Sequence, residues 1–280
     1  MIIWLASYPK SGNTLMRSFL SSYFFSKDGI FNFELLKNIK QYPNGDLFAQ
    51  LGVNIADPHE IAKNHIRVQE FINKDKKSFK FLKTHSSFVK MDGFSFTDLA
   101  NTLGVIHIVR DPRDVVVSFA HHNNQSIEKT AEMINKDFVL NDADLKDKIP
   151  KYMGSWSLNY NSWKTFDKTG KYLLIKFEDL IKDRKKNFKK ILNFIKVLTK
   201  SNFEINDKKI DIILQEIEFE KLKKLEEKEG FNEARIDDKG NKIRFFREGK
   251  SNSWKKTLDP IIKTSIEAVC QKEMKELGYL

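Results

Sequence analysis

MIIWLASYPKSGNTLMRSFL (Met1–Leu20) holds the pattern that decides the fold. An apolar run, Ile2–Ser7, is followed by the tight polar loop SYPKSGNT and a helical pattern over Thr14–Phe25. Strand, loop, helix is an arrangement that holds anions, because the first backbone N–H groups of the helix have no partner within it and its dipole is positive there. Gly12 lets the backbone come close to a ligand, Ser11 and Thr14 supply hydroxyls, and Lys10 puts a full charge at the mouth. The common phosphate-loop pattern G-x-x-x-x-G-K-[ST] wants glycine at position 7 and lysine at position 13, where this chain has Ser7 and Asn13. On its own the stretch reads as an anion loop of another kind, with its lysine inside it, or as an ordinary strand-to-helix turn.

Working outward, three more short apolar runs read as strands: Phe79–Thr84, Gly104–Val109 and Tyr172–Phe177. Helical periods lie between and after them, over Pro112–His121, Ser155–Phe166, Glu178–Ile195 and Pro260–Leu277. Trp156, Tyr160 and Trp163 fall on one face of their helix. Alternating strands and helices predict an α/β fold, a three-layer sandwich around a mainly parallel sheet. With no repeat and no long Pro/Gly/Ser linker, residues 1–280 read as one domain. Residues 26–78 read as short helices over the sheet. KLKKLEEKEG continues a solvated helix that stops at Gly230, and residues 235–256 read as a long loop; such loops beyond about 12–15 residues are usually functional.

Composition narrows the partners. Net charge is +11, which suits an anionic ligand, though a lysine-rich composition explains it equally well. Cys270 is the single cysteine, so no internal disulfide framework or cysteine metal site is possible, and a reducing cytoplasm is acceptable. The apolar start breaks at Ser7 with no basic stretch before it, unlike a signal peptide, and no apolar run approaches the ~20 residues that span a bilayer.

Three other segments carry candidate chemistry. VIHIVRDPRDVVVSFAHH (Val105–His122) ends a buried strand in Arg110, and Asp111-Pro112 opens a helix with Ser118 further along it. Ligands of open α/β sheets lie at the carboxyl ends of strands, so Arg110 is placed for a second phosphate, while Asp111 and Asp114 suit structural caps. FKFLKTHSSF (Phe79–Phe88) ends a strand at Lys83, Thr84 and His85, where a histidine is placed for general-base work. FFREGKSNSWK (Phe245–Lys255) sets Arg247 and Lys250 around Gly249, a clamp for an anion or merely a solvated loop anchored by Trp254. His121 and His122 are adjacent and point about 100° apart on a helix, a poor metal pair. Asp207, Asp211 and Glu226 read as solvent-facing charges.

Taken together, the four segments resemble the sulfotransferases that use 3′-phosphoadenosine 5′-phosphosulfate (PAPS), a family with a P-loop NTP hydrolase-like fold. YPKSGNT (Tyr8–Thr14) is similar to its 5′-phosphosulfate loop YPKSGTTW, RDPRDVVVS (Arg110–Ser118) to its 3′-phosphate motif, KTH (Lys83–His85) to its histidine segment, and FREGKSNSWK to its R-K-G-x-x-G-x-W-K loop. The resemblance implies that Ser11, Gly12, Asn13 and Thr14 cradle the 5′-phosphate. It makes Lys10 the cation at the leaving oxygen, and assigns the 3′-phosphate to Arg110 and Ser118, closed over by the Arg247–Glu248–Gly249 loop. Ser118 also restrains Lys10, His85 is the base, Lys83 steadies the sulfonate, and Phe177 lies at the adenine. It further implies PAPS as donor, 3′-phosphoadenosine 5′-phosphate (PAP) as product, no metal, a small-molecule or glycan acceptor with a hydroxyl or amine, no nucleic-acid partner and a cytoplasmic enzyme. Departures stand beside it: Leu15 takes the place of the adenine-stacking Trp, Phe177 of a Tyr, Glu248 of a basic residue, and Asn252-Ser253 of Gly-Asp. KTLDPIIKT lacks the family's dimer motif, so no dimer is carried over. The competing readings are a P-loop kinase or NTPase, a basic nucleic-acid-binding protein, and an inactive nucleotide-binding relative.

Overall fold

The computed structural model describes residues 1–75, 78–137, 139–140, 149–237 and 239–280, with the side chain of residue 140 excepted. Five strands form one parallel sheet: β1 (Ile2–Ser7), β2 (Lys40–Gln41), β3 (Lys80–Thr84), β4 (Thr102–Val109) and β5 (Tyr172–Lys176), in the order β2-β3-β1-β4-β5. The four strands read from the sequence are all present, and β2 is a short addition at the edge. The chain passes from β1 to β3 on one side and then to β4 on the other. The carboxyl end of β1 is therefore the point where the crossover direction reverses, and there a crevice opens.

The central strand explains the layers. Every residue from Ile2 to Ser7 is fully buried. Ile3 and Leu5 pack with Met16 and Phe19 of α1 (Asn13–Phe25) and with Phe188 and Ile191 of the helix Arg184–Thr199. Ile2, Trp4 and Ala6 face the other way, onto Val68, Trp163 and Phe166. A strand covered on both faces needs apolar residues at every position, which is why its sequence is a run instead of an alternation. Trp4 satisfies its buried N–H on Thr102 Oγ1 at 3.0 Å. Trp156, Tyr160 and Trp163 are all buried, as their spacing requires.

Two long helices are shorter than the sequence suggests. The pattern over 178–195 splits at Asp183, which ends Phe177–Lys182 and caps Arg184–Thr199 by accepting from the Lys186 N–H. An aspartate that satisfies a free helix N–H makes a new start cheaper than continuation. The pattern over 260–277 divides at Cys270 into Pro260–Val269 and Gln271–Glu276. The helix Phe219–Glu229 stops at Gly230. The long stretch beyond it holds more structure than a loop: Arg235–Ile236 pairs antiparallel with Lys242–Ile243, and Trp254–Thr257 is a helical turn. Among the described residues no helix is long and apolar enough to cross a membrane.

Candidate active site

The crevice at the end of β1 is a cleft of ≈ 1220 Å³. Lys10, Gly12, Asn13, Thr14, Lys83, His85, Arg110, Ser118, Phe177, Arg247, Glu248 and Gly249 all line it. Five segments far apart in sequence thus converge: four stand at the carboxyl ends of β1, β3, β4 and β5, and the fifth, Arg247–Gly249, comes from the long stretch beyond Gly230. Ser11 lies beneath the surface, fully buried.

The loop after β1 is built from its own side chains. Asn13 Nδ2 donates to the Leu5 carbonyl at 2.9 Å and to Ser7 Oγ at 3.1 Å, tying helix start to strand end. Lys10 has a left-handed backbone, φ 62°. Gly12, φ 100°, caps α1 with no side-chain bond, so the N–H groups of the first turn have no cap. A Cβ at Gly12 would lie 2.5 Å from Phe177 Cδ2, so glycine is required for contact as well as for backbone shape. The buried Ser11 Oγ and Asn13 Oδ1 have no hydrogen-bond partner. An unpartnered hydroxyl next to uncapped helix N–H groups is the composition of an anion cradle.

Arg110 organises the opposite wall. Its Nη1 donates to the Lys10 carbonyl at 2.9 Å, and its Nη2 to the Lys250 carbonyl at 2.8 Å. Its guanidinium lies 4.5 Å over the Phe177 ring, and Nε is buried without a partner. Asp111 caps the helix Pro112–Asn123 and holds Arg113, the structural role read for it. Asp114 accepts from the N–H groups of Asn252 at 2.7 Å and Trp254 at 3.0 Å, and so moors the later loop. Trp254 is buried under Arg113, 4.0 Å away. Glu248 pairs with Arg247 at 3.2 Å and takes up part of that charge.

Lys10 is partly buried, with Nζ 3.7 Å over the Phe245 ring. Burial lowers its pKa to about 7; Glu233 opposes the shift, and Lys83 and Arg110 reinforce it. His85 is held by its Nδ1–H, which donates to the Ser7 carbonyl at 2.8 Å. That bond leaves Nε2 with the lone pair. Burial first, then Lys83, lowers the His85 pKa to about 3, so the ring is neutral at any ordinary pH.

The structure corrects a further reading and adds residues. Glu226 is buried, not solvent-facing; its carboxylate accepts from the N–H groups of Phe245 at 2.7 Å and Phe246 at 3.0 Å. Asp207 and Asp211 are exposed and pair with Lys189 and Lys185. His121 and His122 both line the cleft. Among the described residues no group of three or more His, Cys, Asp or Glu side chains converges on a metal-sized point. Sequence reading missed Arg17, Phe219 and Glu233. Arg17 did leave a signal: it stands three residues after Thr14, on the face of α1 that meets the loop. Leu15 lines the cleft with Ile217, Phe219 and Leu222, an apolar wall on the side where an aromatic stack was lacking. Phe219 is pressed against Gly249, where a Cβ would lie 2.2 Å from its ring.

A fold with its anion loop at the reversal of a parallel sheet defines a nucleotide-binding α/β protein. The family model of the sulfotransferase domain matches residues 2–278, and the chain belongs to that family. It is 24% identical over 179 residues to the amine sulfotransferase of Oryctolagus cuniculus, a stretch covering 63% of this chain and 56% of that protein. It is 25% identical to sulfotransferase 2A6 of Mus musculus, over 65% of this chain and 60% of that protein. These matches thus span less than two thirds of either relative. Flavonol 3-sulfotransferase of Flaveria bidentis is 23% identical across 99% of this chain and 83% of its own length. Mouse sulfotransferase SULT7A1, solved with PAP, superposes with a TM-score of 0.60 at 19% identity, covering 97% of this chain and 84% of that one. The shared fold is therefore the P-loop NTPase-like one.

Proposed function

We propose that this chain transfers the sulfonate group of PAPS to a hydroxyl or amine of a small-molecule or glycan acceptor, releasing PAP. The observation that carries the reading is the pairing of an anion cradle, with its unpartnered Ser11 Oγ and uncapped α1 start, with a neutral histidine whose Nδ1 is occupied and whose Nε2 is not. The residues fit the donor. Ser11, Gly12, Asn13 and Thr14 would hold the 5′-phosphate, the Asn13 contribution coming from its backbone, since its amide N–H groups are spent on Leu5 and Ser7. Arg110, Ser118 and Arg247 would hold the 3′-phosphate, with Glu248 weakening that clamp and Gly249 permitting its turn. Leu15, Ile217, Phe219 and Leu222, with Phe177, would flank the base in place of a tryptophan.

In the transfer, a bond forms from the acceptor oxygen or nitrogen to sulfur as the S–O bond to phosphate breaks. His85 Nε2 takes the acceptor proton. Lys10 stands at the oxygen that gains charge, where a fixed cation lowers the barrier more than it stabilises the ground state. Lys83 steadies the sulfonate in flight. Donor charge raises the pKa of both Lys10 and His85, the first toward full protonation and the second toward a stronger base. SULT7A1 carries PAP, and retinol dehydratase has been solved with retinol and PAP; both support a donor nucleotide with a small acceptor for this chain. A cytoplasmic setting agrees with the single, buried thiol of Cys270. The test is PAP titration by calorimetry, followed by an acceptor screen with sulfur-labelled PAPS and His85→Ala as control. Binding of magnesium-ATP but not PAP would sink the reading.

A further inference from the structure

Glu233 sits in the turn between the helix Phe219–Glu229 and the strand Arg235–Ile236. It has no part in the chemistry above, yet it lines the same cleft. Its carboxylate is shared between two cations from other parts of the fold. Oε1 accepts from Arg17 Nη1, and Oε2 accepts from Lys83 Nζ at 3.1 Å. Arg17 is itself buried and anchored, with Nη2 donating to the Leu36 carbonyl at 3.2 Å. The guanidinium therefore fixes the carboxylate from behind, and the carboxylate presents its other oxygen to Lys83. Lys83 is buried at the end of β3, two residues before His85.

We propose that Glu233 is the positioning residue for Lys83: braced by Arg17, it holds the ammonium at the acceptor end of the cleft and ties the turn that carries it to the reacting groups. The proposal rests on the reading of Lys83 given above. Its physical basis is the company Lys83 keeps. Arg17 approaches from α1, Lys10 from the loop after β1, His85 from its own strand end and Lys151 from the strand Lys151–Tyr152. All are cationic or neutral. Glu233 is the acid bonded to it, and an ammonium taken from water into such surroundings keeps its proton only with a close counter-charge. Burial lowers the Lys83 pKa, and Glu233 opposes part of that shift. Burial alone would push the Glu233 carboxyl up; Lys83 and Arg17 more than offset this and hold it well below the usual carboxylate range. The carboxylate is thus charged at neutral pH.

The test reads the Lys83 amine directly and needs no acceptor. Competitive labelling with acetic anhydride across pH 6–11, read by mass spectrometry, gives the midpoint at which each lysine becomes reactive. In Glu233→Gln the Lys83 midpoint falls by about 1–3 pH units, the effect of one opposite charge at this range. The midpoint of Lys185, on a remote helix and paired with Asp211, stays put. Glu233→Ala is the second variant should the amide not fold, and Glu233→Asp restores part of the midpoint. A merely structural role would alter stability, not the proton affinity of one amine. A Lys83 midpoint equal to that of the wild type in either folded neutral variant overturns the proposal. Calorimetry with PAP, which has no sulfonate, is run on the same samples. Binding of PAP by the wild-type chain is the control: its failure overturns the transferase reading itself, whatever the Lys83 midpoint does.

Discussion

The ammonium of Lys10 gives the sharpest expectation. Its pKa of about 7 in the free protein comes mainly from burial. A cation whose pKa is lowered is charged below that value and loses its charge as pH rises through it. PAP binds best to the charged form, and its phosphate raises the pKa in the complex. Affinity is therefore full below pH 7 and falls above it by one proton: about tenfold at pH 8 and about a hundredfold at pH 9, or ~1.4 kcal/mol per unit. The nucleotide phosphates, with a second pKa near ~6, are already charged across this window. His85, with its pKa of about 3, is neutral throughout it. The assay is calorimetric titration of PAP at pH 6.5, 7.5, 8.5 and 9.0 in buffers of different ionisation enthalpy, which also counts the proton taken up. Lys10→Met binds more weakly at pH 6.5 and shows no such slope. A flat wild-type profile between pH 7.5 and 9.0, or the same slope in Lys10→Met, would refute the reasoning.

The remaining expectations concern other contacts. His85→Gln should lose about 10²–10⁴ in turnover, measured with labelled PAPS and an acceptor from the screen, while PAP affinity stays close to that of the wild type. Because His85 in the free protein is neutral above about pH 3, kcat/KM for the donor should show no acid limb from this residue between pH 5 and 7. Gly12→Ala combines a left-handed backbone with a Cβ 2.5 Å from the buried Phe177 ring; it should lower stability by about 2–4 kcal/mol in urea unfolding, with Phe177→Ala relieving part of that loss. Glu226→Gln leaves at most one good acceptor for the Phe245 and Phe246 N–H groups, and hydrogen exchange at those two amides should rise well before exchange in β1 does.

Much of this site is legible in the sequence because its parts are local. Tyr8–Thr14 carries its loop, glycine and lysine within a few residues, and the apolar runs on either side place it at a strand end. Arg110, Ser118, Lys83 and His85 are legible for the same reason: each follows a strand that can be recognised. Glu233 and Arg17 are different. They meet across 216 positions, and nothing in the spacing of either announces the other. Glu226 shows the limit most plainly. It stands in a run of lysines and glutamates whose period marks a solvated face, and only the docking of Phe245 and Phe246 buries it. Helix breaks are intermediate cases. The signal at Asp183 was there, since aspartate before Arg-Lys-Lys is a good helix start, but the apolar period ran through it and hid it. Leu15 reads as a loss in the sequence, and nothing in its spacing announces Ile217, Phe219 and Leu222, two hundred positions away, which line the same cleft.

Arg110 reaches the Lys10 carbonyl with one nitrogen and the Lys250 carbonyl with the other, bridging segments 100 residues before it and 140 after. One side chain thus fastens the first turn of the chain to its last quarter. In a growing polypeptide the anion loop and the sheet beneath it can be in place long before residue 250 leaves the ribosome. The second wall cannot, and until it arrives half of this guanidinium has nothing to hold. A growing chain would therefore carry Arg110 with its Lys10 contact within reach and its Lys250 contact still to come.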